Sequence, residues 1–449
     1  MEYLIGILLL VSFVGLAVYC IRGHNLMIGF LVMSTLWTVL PLIGNMLVTN
    51  PEFLLANPGI QEIDLVKTLN AIFQTAPQNW GTTLVNVCWG AWFGRVLMET
   101  GVAATIIRKT VELGGDRPII TITLLNIVTA AIFTSMTGAG PVIAIGVIIL
   151  PILMSLGIPK AIALFTFMGS VAAGIYLNPV NFAQYRAFFL TVDQMPEFTL
   201  GWYTRQWGFA ALLIMLVVTT ILTAVFLKVR KPAHSWAAQT ERPADANAPG
   251  LALIAPILPV AGAIFLDLSV ILGFVVSGFF AMLLCGKLKG GFKNVCQLVN
   301  KMYYDGVVDT APLIGFLLTL PMFNEAAKLC APYFRSVVGG IIPQSTLMLC
   351  IIFACLSVFG LFRGPMTLVG CGAATLGVVS SMGFSVPFLY ACFAIPTITM
   401  NIGSCITQSW VAWGLAYTKV ESRDFLRMSI PNGVIISFIL YAVTYIAFG

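Results

Sequence analysis

The residues best suited to chemistry in this sequence are amides and hydroxyls that lie beside helix-breaking prolines and glycines. Two such stretches lie in the first half of the chain, at 135–141 (SMTGAGP) and 178–185 (NPVNFAQY). The second half has a corresponding pair, with a turn at 361–365 (LFRGP) that carries an arginine beside Gly-Pro, and a polar stretch at 401–408 (NIGSCITQ). Neutral amides and hydroxyls form directed hydrogen bonds, which suits recognition of a polar solute.

Within each half, the two stretches stand the same distance apart. Pro141 precedes Gln184 by 43 residues, and Pro365 precedes Gln408 by 43 residues. The match is one of spacing and residue type rather than identity. It predicts two related halves, each with a pair of irregular segments.

Composition indicates the environment in which these stretches fold. Of 449 residues, 59% are hydrophobic and only 9% are charged, whereas soluble chains carry about 25% charged residues. So few charges cannot cover a water-exposed surface, and the chain is predicted to lie in a membrane. The sequence has two histidines, no CxxC pair and no Walker-type loop. We therefore expect no enzyme activity, no metal or other cofactor, and no ATP-driven pumping.

Fourteen apolar segments approach the roughly 20 residues that a membrane-spanning helix needs. The first seven lie near 3–21, 26–48, 81–98, 118–136, 141–157, 160–186 and 202–228. The second seven lie near 251–266, 269–286, 303–325, 337–360, 365–382, 387–419 and 429–449. The first segment is followed by Arg22 rather than by a cleavage site, so we expect a retained first helix.

Charge predicts how these segments are oriented. With the N-terminus outside, 17 lysines and arginines fall in cytoplasmic segments and five in outer segments, as the positive-inside rule requires. Seven spans per half reverse the direction of the second half, which predicts an inverted repeat. The expected domains are a first repeat at 1–229, a cytoplasmic linker at 230–250 and a second repeat at 251–449. We expect a multi-pass protein of a bacterial-type cytoplasmic membrane.

The stretches near Asn178 and Asn401 are predicted to interrupt membrane helices. Proline lacks a donor and disfavours helical geometry at the residue before it, which applies to the Asn178-Pro179 step. Gly403 and its polar neighbours favour the second break, because such side chains compete for backbone hydrogen bonds. In broken membrane helices, exposed N–H groups attract anions and exposed carbonyls attract cations. The alternative is that these are proline kinks and small-residue packing contacts.

Ionisable residues within the apolar segments are costly to bury and are functional candidates. Arg95 and Glu99 lie four residues apart on the third segment and can meet on one helix face. Four carboxylates are candidates to carry a proton or hold sodium: Glu99, Asp305, Asp309 and Glu325. Alternatively, Glu99 and Glu325 are interfacial caps or salt-bridge partners.

Arg363 directly precedes Gly364 and Pro365 at the start of the second-half stretch. Two interpretations of this cation are open. It is either a positive-inside anchor of the kind common in cytoplasmic loops, or a group that attracts carboxylate substrates.

Two further segments carry a family resemblance. Residues 89–103 (WGAWFGRVLMETGVA) and 114–118 (GGDRP) resemble an early region of the gluconate permease and citrate–proton symporter families. The turn at 137–141 and the asparagine-bearing breaks are similar to those of the wider ion transporter superfamily. With loose motifs, the resemblance spreads over 66–417. It implies symport of an organic anion, driven by protons or sodium, by a protein that is commonly a homodimer.

In these families the substrate site lies between two broken or re-entrant elements, one from each half. Carried onto this sequence with the polar residues that complete the two stretches, the resemblance implies substrate binding by Thr137, Gly138, Gly140, Asn178, Asn181, Gln184, Gly364, Thr367, Asn401, Gly403, Ser404, Thr407 and Gln408. The Ser-Asn-Thr triplet of the sodium–dicarboxylate branch is lacking in both halves, which favours protons over sodium.

Two functions from this reasoning remain open. The leading hypothesis is import of a small carboxylate, such as gluconate or another sugar acid, citrate or a dicarboxylate. The alternative is a cation–proton antiporter of the same superfamily, which would need carboxylates at the breaks. The breaks carry neutral amides and hydroxyls instead, which favours the organic anion. The expected partners are the lipid bilayer and the carboxylate, with no nucleic acid.

Overall fold

A computed structural model of the chain describes all residues except 23, 116, 190–194, 230–246, 341, 342 and 381. The described residues form helices joined by short turns, with no β-strand among them. The helices before the gap at 230–246 are α1 Glu2–Ile21, α2 Leu26–Leu47, α3 Pro51–Ala56, α4 Leu65–Asn70, α5 Ala76–Asn79, α6 Gly81–Glu99, α7 Val102–Gly114, α8 Pro118–Phe133, α9 Ala139–Ser155, α10 Lys160–Ile175, α11 Pro179–Arg186, α12 Leu200–Tyr203 and α13 Phe209–Val229. The helices after it are α14 Leu258–Phe265, α15 Val270–Leu284, α16 Phe292–Val338, α17 Thr346–Leu356, α18 Gly372–Ser380, α19 Val386–Pro396, α20 Ser409–Thr418 and α21 Ser422–Phe448.

Several of these helices are long and apolar enough to cross a membrane. Within the described residues, four helical segments meet that criterion: Met27–Leu47, Leu200–Val229, Thr346–Arg363 and Ser422–Phe448. Helices α10 and α11 bend by 66° at a short break and form a fifth span if they cross together. Five shorter apolar helices accompany them: Glu2–Leu16, Pro118–Phe133, Ala139–Ser155, Val270–Leu284 and Val386–Ile402. The protein is therefore an all-α, multi-pass membrane protein, as its composition predicts.

Helix α10 lies at the centre of the molecule. Every residue of α10 after Lys160 is buried, and the helix packs against α8, α9, α13 and α21. Small residues permit this close approach, since Gly169 lies against Thr219 of α13 and Gly174 lies against the Ala130 carbonyl of α8. Glycine at such contacts is typical of membrane helix packing. The broken element that follows α10 is therefore anchored in the core.

Helix α16 is the longest helix, with 47 residues and a length of about 70 Å. The predicted span at 303–325 is its middle part, and the predicted connection at 325–337 is continuous helix instead. Hydropathy marks only the most apolar stretch of such a helix and misses polar turns that extend it. Helix α16 packs against α1, α2 and α6, and so brings second-half residues against the first half.

Three other predicted spans of the second half are interrupted. Segment 251–266 forms a 3-10 turn and the eight-residue α14, and segment 365–382 forms turns followed by the nine-residue α18. Segment 387–419 divides into α19, a π-helical turn at Thr397–Ile402 and α20. Irregular backbone is tolerated in membrane proteins where the protein itself surrounds it. Helical backbone continues through Ser404, and the interruption lies at 405–408, a few residues after the break predicted at 401–404.

Residues 230–246, most of the predicted linker at 230–250, lie outside the described residues. The division into two repeats and the inverted relation between them stay predictions. The same holds for the membrane orientation that the charges predict.

Candidate functional site

A cavity of about 550 Å³, which we call cavity 1, lies between the broken elements of the two halves. Its wall combines α11 and the turn before α9 with the second break and the middle of α16. Eight residues that the sequence analysis singled out line this cavity: Thr137, Gly138, Asn181, Gln184, Asp309, Arg363, Thr407 and Gln408. Polar groups from both halves thus meet around one space.

The N-terminus of α9 opens into cavity 1. Gly138 precedes the helix with a φ of +97°, a conformation that glycine adopts far more readily than other residues. The first backbone N–H groups of any helix have no helical partners, and no described side chain caps them here. Such groups and the positive end of the helix dipole attract anions. Thr137, Gly138 and Ala139, which line the cavity, therefore form a wall suited to negative charge.

Helix α20 presents a second N-terminus to the same cavity. The helix begins at Ser409, and the side chain of the preceding Gln408 does not cap it. Ser409 and Trp410 both line the cavity. Trp410 Nε1 donates to the Ile402 carbonyl at 3.1 Å and so ties α20 to the π-helical turn across the break. Two helix N-termini, one from each half, therefore face cavity 1.

Arg363 supplies a cation to the wall of cavity 1. Phe362 and Arg363 both have positive φ, at 54° and 56°, a conformation that costs a non-glycine residue about 1–3 kcal/mol. Arg363 Nη1 donates to the Val369 carbonyl and Nη2 to Gln408 Oε1, both at 3.3 Å. These contacts hold the guanidinium at the cavity, and strained backbone of this kind is common at functional sites.

A bidentate ion pair joins the two halves beside the cavity. Arg95 of α6 donates from Nε and Nη2 to the two carboxylate oxygens of Asp309 on α16, each at 2.7 Å. The side chains of Arg95 and Asp309 are 25% and 18% exposed, so the pair is largely shielded from water. A Cβ atom on Gly140 would collide with the Asp309 carboxylate, which explains glycine at that position. The contact of Arg95 with Glu99 that the sequence allowed is replaced by this pairing across the halves.

Asn178 stabilises the first break and does not line cavity 1. Its Oδ1 accepts from the backbone N–H groups of Val180 and Asn181 at 3.0 and 3.2 Å, and so caps α11. Its Nδ2 donates to the carbonyls of Phe133 and Met136 at 3.1 and 3.0 Å. An amide can donate two hydrogen bonds and accept two, and these four contacts use that capacity. We infer that Asn178 positions α11 rather than contacting substrate as the resemblance implies.

We expect Asn178→Ala to lower the free energy of unfolding by about 3 kcal/mol, from about 1 for the lost cap and about 1 for each lost donor contact. Asn178→Ser, which keeps a capping oxygen, should recover about a third of that loss. Thermal unfolding of the purified protein measures both. The control is Asp64→Ala, which removes the exposed cap of α4 and should produce a smaller shift. Full stability with complete loss of function in Asn178→Ala would instead indicate a direct ligand contact.

The other predicted binding residues surround the breaks without lining cavity 1: Gly140, Asn178, Gly364, Thr367, Asn401, Gly403 and Ser404. Thr367 Oγ1 donates to the Gly360 carbonyl and Ser404 Oγ to the Thr399 carbonyl, each at 3.0 Å. These two hydroxyls hold the irregular chain together. Asn401 is fully buried, and neither polar atom of its amide has a partner among the described residues.

The four acidic residues predicted to couple a cation lie in different surroundings. Asp309 lines cavity 1, and Asp305 is half-buried one turn before it, outside the cavity wall. Glu325 accepts from Lys328 Nζ at 2.6 Å, the salt-bridge role that the alternative interpretation expected. Glu99 is exposed at the end of α6. Asp309 is therefore the acidic residue that the fold places at the candidate site.

Two aromatic residues of the wall, Tyr185 and Trp410, were missed by the sequence analysis. Tyr185 ends the 178–185 stretch, and Trp410 follows the 401–408 stretch by two residues. Their closeness to these stretches could have marked both residues as candidates for the site. Asn181 Nδ2 donates to Tyr185 Oη at 3.4 Å. Asn181 Oδ1, in a side chain 7% exposed, has no partner among the described residues. A buried acceptor without a partner at a cavity wall indicates a place for water or ligand.

Comparison with known structures identifies a similar fold. The crystal structure of the YdaH transporter from Alcanivorax borkumensis, which has an unusual topology, superposes with a TM-score of 0.64 over 94% of this chain and 98% of that one. The chain shares that fold. Sequence identity is 13%, so the likeness concerns the fold alone. No protein-family profile and no characterised protein matches the sequence, and the resemblance to gluconate permeases and citrate symporters stays a prediction.

Proposed function

We propose that the protein is a secondary active transporter that imports a small organic anion by cation symport, with the proton as the coupling ion. The substrate is a carboxylate such as gluconate or another sugar acid, citrate or a dicarboxylate. The observation that carries the proposal is cavity 1, where Arg363 and the uncapped N-termini of α9 and α20 converge. The similarity to a transporter fold supports transport as the activity.

Positive potential in cavity 1 favours an anion. A guanidinium binds a carboxylate through two parallel hydrogen bonds, and each helix N-terminus contributes the equivalent of about half a positive charge. The wall also contains Thr137, Gln184 and Thr407, whose neutral side chains donate and accept hydrogen bonds. Such groups suit the hydroxyls of a sugar acid or a hydroxy acid.

The cation–proton antiporter is less well supported by the same wall. A bare cation needs carboxylate or carbonyl oxygens to replace its water. Asp309 is the carboxylate that the described wall of cavity 1 contains, and Arg95 occupies both of its oxygens. The wall of cavity 1 is therefore better suited to bind an anion than a metal cation.

The Arg95–Asp309 pair is the proposed element of proton coupling. Protonation of Asp309 would remove its negative charge and weaken its hold on Arg95. Cavity 1 would then gain one net positive charge, which strengthens binding of an anion nearby. Because the two binding events favour each other, proton and carboxylate would occupy the protein together, as symport requires.

Uptake into proteoliposomes tests this function. We expect an inward proton gradient to drive accumulation of at least one acid from a panel of gluconate, citrate, succinate and malate, and a protonophore to abolish that accumulation. A sodium gradient at equal pH on both sides should have no effect. Radiolabelled acid inside the vesicles is the measurement, with protein-free liposomes as the control.

Two outcomes would contradict this function. Accumulation that requires sodium and persists with a protonophore would overturn proton coupling. Proton efflux driven by a cation, without uptake of any acid, would support the antiporter instead.

A further inference from the structure

Helix α11 separates cavity 1 from a second and larger cavity, of about 1020 Å³, which we call cavity 2. Three residues of α11 line cavity 1: Asn181, Gln184 and Tyr185. Four others line cavity 2: Pro179, Phe182, Ala183 and Arg186. With 3.6 residues per turn, these two sets lie on opposite faces of the helix. The eight-residue helix α11 therefore lies between the two cavities.

The two cavities lie at different levels along α16. Asp309 and Gly315 line cavity 1, whereas Pro321 and Glu325 line cavity 2. Asp309 and Glu325 are about 24 Å apart along the helix axis, which approaches the thickness of the hydrocarbon core of a bilayer, about 30 Å. The nearest residues of the two walls on this helix, Gly315 and Pro321, are about 9 Å apart along its axis, and we expect the two cavities to open towards opposite faces of the membrane.

Aromatic side chains pack around Phe182 on the cavity 2 side of α11. The ring of Phe182 lies 5.6 Å from that of Phe198, 5.2 Å from that of Tyr203 and 5.6 Å from that of Tyr390, measured between ring centroids. All four residues are buried. The 66° bend between α10 and α11 lies just before Phe182 in the chain. A change at the bend would move α11 and Phe182 together.

Arg186 brings a cation to the α11 wall of cavity 2. Its Nη2 donates to the Met195 carbonyl at 2.7 Å. Its Nε is buried and has no partner among the described residues, and no carboxylate there forms a salt bridge with this guanidinium. A half-buried cation with an unused donor attracts an anion, since leaving that donor without a partner is costly.

The other charges of cavity 2 do not cancel this one locally. Lys328 and Glu325 form a salt bridge with each other. Glu197, Asp267 and Arg205 are exposed, and water screens exposed charges. Among the lysines and arginines of this wall, Arg186 is therefore the half-buried one, and it lies on the helix between the cavities.

We propose that cavity 2 is a second binding site for an organic anion, on the opposite side of α11 from cavity 1, with Arg186 as its contact. The anion passes between the two sites when α11 moves. This inference rests on the proposed function, because cavity 1 is the site that it extends.

Two-sided labelling of cysteines tests the position of cavity 2. In a variant without the ten native cysteines, Ser409→Cys reports on cavity 1 and Ala183→Cys reports on cavity 2. Proteoliposomes are treated with a membrane-impermeant maleimide outside, or with the same reagent trapped inside. We expect the two cysteines to react from opposite sides. Ser269→Cys, at the exposed edge of cavity 2, should react from the same side as Ala183→Cys.

Reagent charge tests the anion site itself. Ala183 lies three residues before Arg186 and on the same helix face. An anionic methanethiosulfonate should therefore modify Ala183→Cys about tenfold faster, relative to a cationic one, than it modifies a free thiol in solution. Adding Arg186→Gln should bring the ratio of the two rates close to that of the free thiol. Ser269→Cys is exposed, where water screens the charge of Arg186, and should change little on the same substitution.

The outcomes separate this inference from the proposed function, because labelling does not require transport. Reaction of Ala183→Cys and Ser409→Cys from the same side would overturn the second site, as would equal relative rates with and without Arg186. Failure of Ala183→Cys to react in membranes, when it reacts in detergent, would also overturn it. Loss of acid uptake with the expected labelling pattern would instead count against the proposed substrate of both cavities.

Discussion

Replacement of Arg363 by glutamine is expected to weaken carboxylate binding by about 10- to 100-fold, because a hydrogen bond to a charged group contributes about 1.5–3 kcal/mol. The glutamine keeps a polar side chain and is no worse suited than arginine to the positive φ of this position, but it is shorter and removes the charge. Uptake at low substrate concentration should fall by the same factor. Saturating substrate should restore part of it. The measurement is the concentration dependence of uptake of the best acid from the panel.

The choice of control separates charge from packing at this position. Arg363→Lys keeps the charge but lacks the planar fork of donors, so we expect an intermediate affinity. Arg427→Gln removes a cation that pairs with Asp424 at 3.8 Å on α21, with 58% of its side chain exposed, and should leave uptake unchanged. Thermal unfolding of each variant shows whether the contacts to Val369 and Gln408 were needed for folding. Unchanged affinity in a folded Arg363→Gln would exclude Arg363 from the site.

Replacement of Asp309 by asparagine should abolish proton-driven accumulation while leaving exchange across the membrane. The asparagine keeps the shape of the side chain but cannot take up a proton. A proton gradient can therefore no longer drive accumulation of the acid through this residue. Exchange of labelled for unlabelled acid needs no net proton movement and should continue, although more slowly. Both quantities are measured in the same proteoliposomes, with Asp424→Asn on the exposed pair of α21 as the matched control.

The same pair is suited to a double-mutant cycle. Asp309→Asn leaves Arg95 without its charged partner, which destabilises a shielded ion pair more than removal of both charges does. Arg95→Gln combined with Asp309→Asn should therefore be less destabilised than the sum of the two single variants. We expect a coupling free energy of about 1.5–3 kcal/mol, which is the range for hydrogen bonds to charged groups. Additive effects, or accumulation unchanged in Asp309→Asn, would remove this pair from the mechanism.

Local features of the sequence were enough to locate the broken elements. Asn178-Pro179 predicts a helix boundary because proline restricts the residue before it, and α11 begins at Pro179 with Asn178 as its cap. The second stretch is also interrupted, at 405–408, although the residues 401–404 that were predicted to break the helix are themselves helical. Such breaks depend on a few neighbouring residues and can therefore be predicted from a single sequence.

The roles of individual residues in those breaks could not be predicted from the sequence. Asn178 and Thr407 look alike in sequence as polar groups beside a break, yet Asn178 makes four contacts with backbone and Thr407 lines cavity 1. The side that each group faces depends on the packing of α8 and α9 around it. The continuous α16 was also missed, because hydropathy follows lipid contact and not helical hydrogen bonding.

The sequence by itself determined membrane residence, the all-α class and the positions of the breaks, because composition, apolar runs and proline act locally. Only the tertiary structure decided that Arg95 pairs with Asp309 across 214 residues, that cavity 1 is lined by two helix N-termini and Arg363, and that α11 divides it from cavity 2. These are relations between distant segments. They depend on how the helices pack, because packing decides which side chains from distant segments come into contact.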